Sequence, residues 1–336
     1  MEATLLAALP ISLGTGLGIA VVMPALIRWL RRRAVLDIPN ARSSHDEATP
    51  RGGGIAVTGG ILLGLVAWLT LRPDPFLPLL LLGMLALALV SWLDDRRGGL
   101  PVGLRLGVQI LGIGIALALL PGQLTVTQGL LPVWLERAVL LLGWVWFVNL
   151  FNFMDGINGI TGVEMVTVGI GAVLVAALQS QGALAVPGLI VAAAALGFLP
   201  WNWGRARVFL GDVGSVPVGY LLGAVLLLLA LTGQWAAALI LPMYYWVDAT
   251  VTLLLRLRRG ERIWQAHRSH FYQQGARRLG SHAAVAGRIA LLNLLLVGLA
   301  MLSTLSSVAS VLSVLAALVL TVLLCRHFAE SPKAIE

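Results

Sequence analysis

The sequence predicts an all-α polytopic membrane protein with about eleven transmembrane helices. Three observations predict it. Hydrophobic residues fill 59% of the 336 positions and charged residues only 11%, against about 25% charged in an ordinary soluble domain. Apolar stretches of roughly 20 residues, the length that crosses the hydrocarbon core, recur along the whole chain. The basic residues fall in alternate breaks between these stretches.

Taken in order, helices are expected at roughly 5–27, 52–71, 75–93, 103–120, 137–154, 160–178, 183–199, 214–232, 235–255, 286–305 and 307–325, as one transmembrane domain over 1–336. The first stretch lacks a basic segment before it, so it is expected to remain in the mature protein rather than be cleaved as a signal peptide. It ends at Arg28 and the run Arg31-Arg32-Arg33. Arg72-Pro73-Asp74-Pro75 ends the second, Asp94-Asp95 the third and Pro121-Gly122 the fourth. Gln181-Gly182 precedes the seventh, and Thr232-Gly233 separates the eighth from the ninth. The break at Ser306-Ser307 carries the fewest signals. Cys325, the single cysteine, lies in the last stretch and reads as a small apolar residue.

Charge placement fixes the expected sidedness. Of the 23 Lys and Arg residues, 21 fall in alternate breaks and the C-terminal tail; only Arg72 and Arg137 lie on the other side. The positive-inside rule then puts the N-terminus outside and the C-terminus in the cytoplasm. The net charge of +8 is thus an orientation signal and an attraction for the lipid bilayer, and nucleic acid is not an expected partner.

Four polar clusters land on the basic side. Asp94-Asp95 closes the third helix. Asn149-Leu-Phe-Asn152-Phe-Met-Asp155-Gly-Ile-Asn158-Gly159 closes the fifth. Phe209-Leu-Gly211-Asp212-Val-Gly214-Ser215 enters the eighth, and His267 and His270 lie in the long basic loop. Each has a bland reading. The aspartates would mark the membrane boundary with Arg96 and Arg97 as partners, although adjacent like charges repel without a cation between them. Asn149 and Asn152, three apart, share a helix face and would join helices. Asp212 or Ser215 would cap the eighth helix, and the histidines would be solvated. Together they suit another chemistry. Carboxylate and amide oxygens are hard ligands for Mg²⁺, which commonly keeps one or two protein groups beside substrate phosphates. Arginines and a helix N-terminus hold phosphate oxygens. The pattern is that of a metal-assisted pyrophosphate site at the membrane surface.

The ordered motifs carry a resemblance over nearly the whole chain: Thr49-Pro50-Arg51-Gly52-Gly53-Gly54, Asp94-Asp95 followed by Leu100, Arg105 and Gln109, the Asn149–Gly159 segment, Phe209–Ser215, and Arg258-Arg259-Gly260 before His267-Arg-Ser-His270. The chain resembles the polyprenyl-phosphate N-acetylhexosamine-1-phosphate transferases, the glycosyltransferase 4 family. The resemblance implies a cytoplasmic-face active site in the bacterial inner membrane. It implies transfer of sugar-1-phosphate from a UDP-N-acetylhexosamine to undecaprenyl phosphate, with UMP leaving and Mg²⁺, alternatively Mn²⁺, as cofactor. It assigns Asp94 and Asp95 to catalysis, or to placing the metal and lipid phosphate. Asn152 and Asp212 become metal ligands. Asn149, Asp155, Asn158, Arg105, His267, Arg268 and His270 become substrate-binding residues, joined by Asp248 and, with similar standing, Glu164 as residues lining the site. Two departures stand out: Asn158 replaces an aspartate common in bacterial relatives, and Arg105 replaces a frequent lysine with a planar fork unsuited to carrying protons.

Within that family the Arg42-Ser-Ser-His45 opening looks like the O-antigen initiating branch. The alternative is the phospho-MurNAc-pentapeptide transferase of peptidoglycan synthesis, whose run of adjacent histidines is lacking at His267–His270. An alternative of another class is a secondary transporter, which would place its carboxylates near mid-membrane. The sugar and the oligomeric state are not legible.

Overall fold

The computed structural model describes residues 2–38, 47–97, 99–262 and 267–329; the Arg42–His45 stretch and Lys333 lie outside them. Thirteen helices run as α1 (Glu2–Arg32), α2 (Gly54–Leu71), α3 (Leu77–Arg97), α4 (Val102–Ala118), α5 (Val133–Phe153), α6 (Ile160–Leu178), α7 (Gly182–Asn202), α8 (Asp212–Leu231), α9 (Trp235–Ile240), α10 (Met243–Arg258), α11 (Phe271–Leu279), α12 (His282–Leu302) and α13 (Ser307–Ala329). Among the described residues nine helices are long and apolar enough to cross a membrane, and α4, at 17 residues, is a shorter apolar helix. The chain is an all-α polytopic membrane protein, as expected. All eleven predicted stretches have counterparts.

Two expectations change. The predicted helix over 235–255 is broken into α9 and α10 at Leu241-Pro242. Proline has no amide to donate, and its ring crowds the preceding turn. The basic loop after α10 is not all loop, because α11 forms within it.

The bundle is built around α8, whose membrane-length window is 94% buried in protein, against 22% for α13. Helices α3, α5 and α2 pack against it, while α6, α7 and α1 form a second layer. Leu13, Leu17 and Val21 of α1 and Val308, Leu312 and Val319 of α13 are exposed. In water such surfaces would drive association; in a bilayer they meet lipid chains as apolar as themselves.

Helix ends that flank the basic segments meet at one end of the bundle. There Leu36–Asp37 (β1) pairs antiparallel with Thr49–Pro50 (β2), and the Gly52 and Gly53 amides both donate to the Phe209 carbonyl, at 3.1 and 2.8 Å. The Gly54 amide donates to Leu210, and the Phe209 amide returns to Pro50, each at 2.8 Å. This mesh ties the entry of α2 to the entry of α8. Glycines permit it. A Cβ on Gly54 would stand 2.3 Å from the Gly214 nitrogen and 2.4 Å from its Cα, so only backbone against backbone fits there.

Candidate functional site

The mesh at the ends of α2 and α8 delivers a charged cluster. One Arg51 nitrogen, Nη2, lies 2.9 Å from Asp95 Oδ1 and 2.7 Å from Asp212 Oδ1. Arg105 Nη1, near the start of α4, lies 2.8 Å from Asp94 Oδ2 and 3.8 Å from Asp212 Oδ2. Asp94 also accepts from the Leu100 amide, and the Val213 amide donates to Asp95 Oδ2 at 3.4 Å. Three carboxylates from two helices are therefore cross-linked by two guanidinium groups. Of the two partners in the boundary-marker reading, the Arg96 guanidinium sits over the Trp92 ring, 4.8 Å from its centroid, and the Arg97 side chain lies outside the described residues. Asp212 does not cap α8: the cap position is Gly211, with no side-chain cap bond, and Asp212 is the first helical residue.

Beside this cluster opens a cavity of about 360 Å³. Its polar wall includes Arg105, Asn149, Asn152, Asp212, His267 and His270, with Gln109 and Gln273. Asn149 Nδ2 donates to Gln109 Oε1 at 2.7 Å, and the Ser215 hydroxyl donates to Asn152 Oδ1 at 2.8 Å. The other wall is apolar: Leu87, Val90, Val102, Leu106, Phe153 and Leu253. Val102, Leu106 and Phe153 are 57%, 37% and 40% exposed, so this apolar part of the lining is open rather than sealed within the bundle. The two histidine rings stack at 4.8 Å. Burial, then the neighbouring His270 and Arg256, hold the His267 imidazole down at about 4, which leaves it neutral near pH 7.

Other predicted site residues take different places. Asp155 accepts from the Thr161 hydroxyl at 2.6 Å; burial pushes its carboxyl up to about 6, against that hydrogen bond, with Asp212 adding to the rise. Asn158 is buried and donates through Nδ2 to the Gly204 carbonyl at 2.6 Å, stitching the α5–α6 turn to the end of α7 rather than lining the cavity. An amide can do this where a carboxylate cannot, which gives the departure at Asn158 a structural reason. Arg268 turns to the far side of the His267–His270 segment and lines a separate cavity of about 250 Å³ with Arg256, Arg259 and Arg277. Asp248 is fully buried behind His270 and off the cavity wall; its Oδ1 lies 3.1 Å from His270 Nδ1. Glu164, also expected to line the site, is sealed between α6 and α12, where Asn293 Nδ2 donates to it at 2.7 Å.

Arg51 is the residue that reading the sequence left out of the site. It stood within a glycine-rich motif, and the only signal for it was the need of Asp94-Asp95 for a nearby cation.

The oxygens here suit Mg²⁺ in chemistry. Among the described residues no three His, Cys, Asp or Glu side chains form a ready-made metal nest. The donors converging on the cavity are instead the Asp212 carboxylate and the Asn152 carbonyl. Among the described residues Asp212 Oδ2 has only the longer Arg105 contact at 3.8 Å. Asp212 and Asn152 could serve as the sparse protein shell of a cation that keeps water and phosphate oxygens as its other ligands.

Comparison with known proteins gives the family. The family described as "Glycosyl transferase family 4" matches residues 77–230, which run from α3 to the end of α8. A probable undecaprenyl-phosphate N-acetylglucosaminyl 1-phosphate transferase of Bacillus subtilis is 25% identical over 272 residues, 77% of this chain and 74% of the relative. A phospho-N-acetylmuramoyl-pentapeptide-transferase of Synechococcus is 32% identical over 250 residues, 68% of this chain and 69% of the relative. A decaprenyl-phosphate N-acetylglucosaminephosphotransferase of Mycobacterium tuberculosis is 30% identical over 236 residues, 59% of this chain and about half of the relative, 54%. With its motifs gathered at one end of the bundle and these relatives matched across most of its length, the chain belongs to the polyprenyl-phosphate N-acetylhexosamine-1-phosphate transferases, glycosyl transferase family 4.

Proposed function

We propose that this protein transfers N-acetylhexosamine-1-phosphate from a UDP-sugar to undecaprenyl phosphate, giving undecaprenyl-diphosphate-sugar and UMP. In this reading it acts at the cytoplasmic face of the bacterial inner membrane, as the first membrane step of O-antigen or a similar envelope polysaccharide. The observation that carries it is one cavity with both kinds of lining, opening beside the Arg51–Asp94–Asp95–Asp212 cluster: polar groups at Arg105, Asn149, Asn152, Asp212, His267 and His270, and apolar ones at Leu87, Val102, Leu106 and Phe153. Such a cavity accepts an amphiphile with a phosphate head.

An oxygen of the lipid phosphate attacks the β-phosphorus of the UDP-sugar. The new P–O bond forms as the bond from that phosphorus to the oxygen bridging to the α-phosphorus breaks, and UMP leaves with the electron pair. The second pKa of a phosphomonoester is near 6, so at pH 7 the attacking oxygen is largely ionised and needs little base assistance. The chain's task is to bring two polyanions together and to stabilise charge on the leaving phosphate. Arg105, His267 and His270 face the diphosphate. Asp94 and Asp95 set the two arginines and the metal side of the cavity. Asp212 and Asn152 would hold Mg²⁺, which supplies charge neutralisation on the phosphate oxygens when bound. Gathering Asp94, Asp95, Asp155 and Asp212 at one end of the bundle favours this reading over a transporter, which wants its charges near mid-membrane.

The Synechococcus relative favours a second reading, in which the donor is UDP-MurNAc-pentapeptide. A panel of UDP-sugars with undecaprenyl phosphate, read as UMP release, separates the two. Asp212→Asn tests the metal side. It leaves the Gly211 cap intact but removes a charge, so turnover is expected to fall by about 10²-fold or more, the scale set by losing one electrostatic stabiliser. Full Mg²⁺-dependent turnover in that variant rules out Asp212 as the metal's anchor.

A further inference from the structure

Asp248 sits mid-way along α10, at zero exposure, and five donors converge on it. Oδ1 lies 3.1 Å from His270 Nδ1, accepts the Phe271 amide at 3.0 Å and takes the Thr252 hydroxyl at 3.3 Å. Oδ2 accepts the Tyr272 amide at 2.9 Å and the Tyr244 hydroxyl at 3.0 Å. Phe271 and Tyr272 are the first two residues of α11, so a carboxylate from another helix takes up orphan amides at its N-terminus, where the helix dipole favours negative charge. Backbone amides only donate. With one on each oxygen, both oxygens act as acceptors, and an imidazole that carries its proton on Nδ1 completes the set as the fifth donor. The imidazole's other nitrogen, Nε2, is then left for the cavity that His270 lines.

The same anchor sets a second part of the site. Tyr272, whose ring stacks on His270 at 5.5 Å, donates its hydroxyl to the Phe153 carbonyl at 2.9 Å. Phe153 follows Asn152 and lines the cavity. The close fit is permitted by Gly156, where a Cβ would stand 2.1 Å from the Tyr272 oxygen.

We propose that Asp248 is a positioning residue, not a substrate contact: it fixes the tautomer and direction of His270 and, through the start of α11, holds the histidine wall against the Asn152 wall. This rests on the proposed phosphotransfer, in which His270 faces the diphosphate. In Asp248→Asn an amide NH₂ replaces one oxygen, so a donor meets a donor and His270 Nδ1 is pushed toward accepting.

The test is a double-mutant cycle on UMP release with Asp248→Asn, His270→Ala and the pair, together with ¹⁵N spectra of the histidine rings. Asp248→Asn is expected to lower kcat/KM by about 10-fold, but by less than about 2-fold when His270 is already alanine, because coupled residues are non-additive. The spectra are expected to show the His270 proton on Nδ1 in the wild type and a population on Nε2 in the variant. Effects that simply multiply, or a wild-type His270 with its proton on Nε2, overturn the proposal. Should Asp248→Asn fail to fold, Thr252→Val, which removes one donor to Oδ1, must show the same non-additivity. A wild type that releases no UMP sinks the phosphotransfer reading instead, and the ring spectra still decide the role of Asp248.

Discussion

Replacing Gly54 with alanine tests whether the site depends on the backbone crossing that builds it. The added methyl would stand 2.3 Å from the Gly214 nitrogen, 2.4 Å from its Cα and 2.8 Å from the Leu210 carbonyl oxygen. Carbon contacts relax to about 3.5–4.0 Å, so the entries of α2 and α8 must separate by roughly 1 Å. No flexible side chain is there to yield. Overpacking of this kind costs about 1–3 kcal/mol. The larger effect falls on function, because Arg51 and Asp212 ride on the two segments being pushed apart. Their 2.7 Å contact would stretch past hydrogen-bond range, and a misplacement of about 1 Å near a reacting centre can cost on the order of 10²-fold. The assay pairs a thermal melt in detergent with UMP release. Gly59→Ala, on the same helix with nothing within 4 Å of the added Cβ, is the control and should leave both readouts unchanged. If Gly54→Ala melts and turns over like the wild type, the crossing does not hold the site and the role given to Arg51 falls with it.

Asp94→Asn and Asp95→Asn should each cut turnover by at least about tenfold while the protein inserts and purifies normally; near-normal activity in both would restore the boundary-marker reading. The depressed value of His267 has a definite sign. Between about 6.5 and about 4 the unfolded chain takes up a proton that the folded chain refuses, so folding stability falls as pH drops through that window. His267→Gln should flatten this part of the melting curve against pH, and an unaltered slope would contradict it. Glu164→Gln should keep turnover within about twofold and melt no lower, since an amide oxygen can still accept from Asn293 without a buried charge; a large loss of turnover would return Glu164 to the site. Reporter fusions after Arg97 and after His270 should both read as cytoplasmic, and a periplasmic reading at either contradicts the orientation drawn from the basic residues.

What the sequence disclosed was local. Each apolar stretch announces its own helix, and the basic breaks announce which ends belong together. The polar clusters were therefore legible as one set before any contact was known. What stayed hidden was set by contacts between distant residues. Arg51 and Asp212 are 161 positions apart, and nothing in Pro50-Arg51-Gly52 says which carboxylates it will meet. Helix α11 is short and polar, too weak to predict from its own residues, and its start is held by Asp248, more than twenty positions away. Pro242 breaks its helix, whereas Pro10, Pro24, Pro187, Pro200 and Pro217 lie inside helices that continue. Membrane helices tolerate proline when neighbours satisfy the freed carbonyl, so the residue type alone does not predict a break. Asp248 and Glu164 looked alike in sequence, as acids inside apolar helices. Their surroundings separate them: one faces five donors beside the cavity, the other an asparagine between two helices.

A charge count supports the proposed metal. Three carboxylates, Asp94, Asp95 and Asp212, meet two guanidinium groups, Arg51 and Arg105, and His267 is neutral near pH 7. The cluster is therefore net negative before a substrate arrives, and both proposed substrates bring phosphate charge of the same sign. The arginines cannot serve them fully while they bridge the aspartates. Either the aspartates release them, leaving three carboxylates bare, or a further cation enters. Asp212 and Asn152 are the residues that would hold the proposed divalent ion, whose charge would offset the Asp212 carboxylate and loosen the hold of Arg51 on it. On this argument Arg51 and the proposed metal would compete for the Asp212 carboxylate. Arg51→Gln should then leave Mg²⁺ binding intact or tighter while weakening catalysis, and weaker Mg²⁺ binding in that variant would refute the competition.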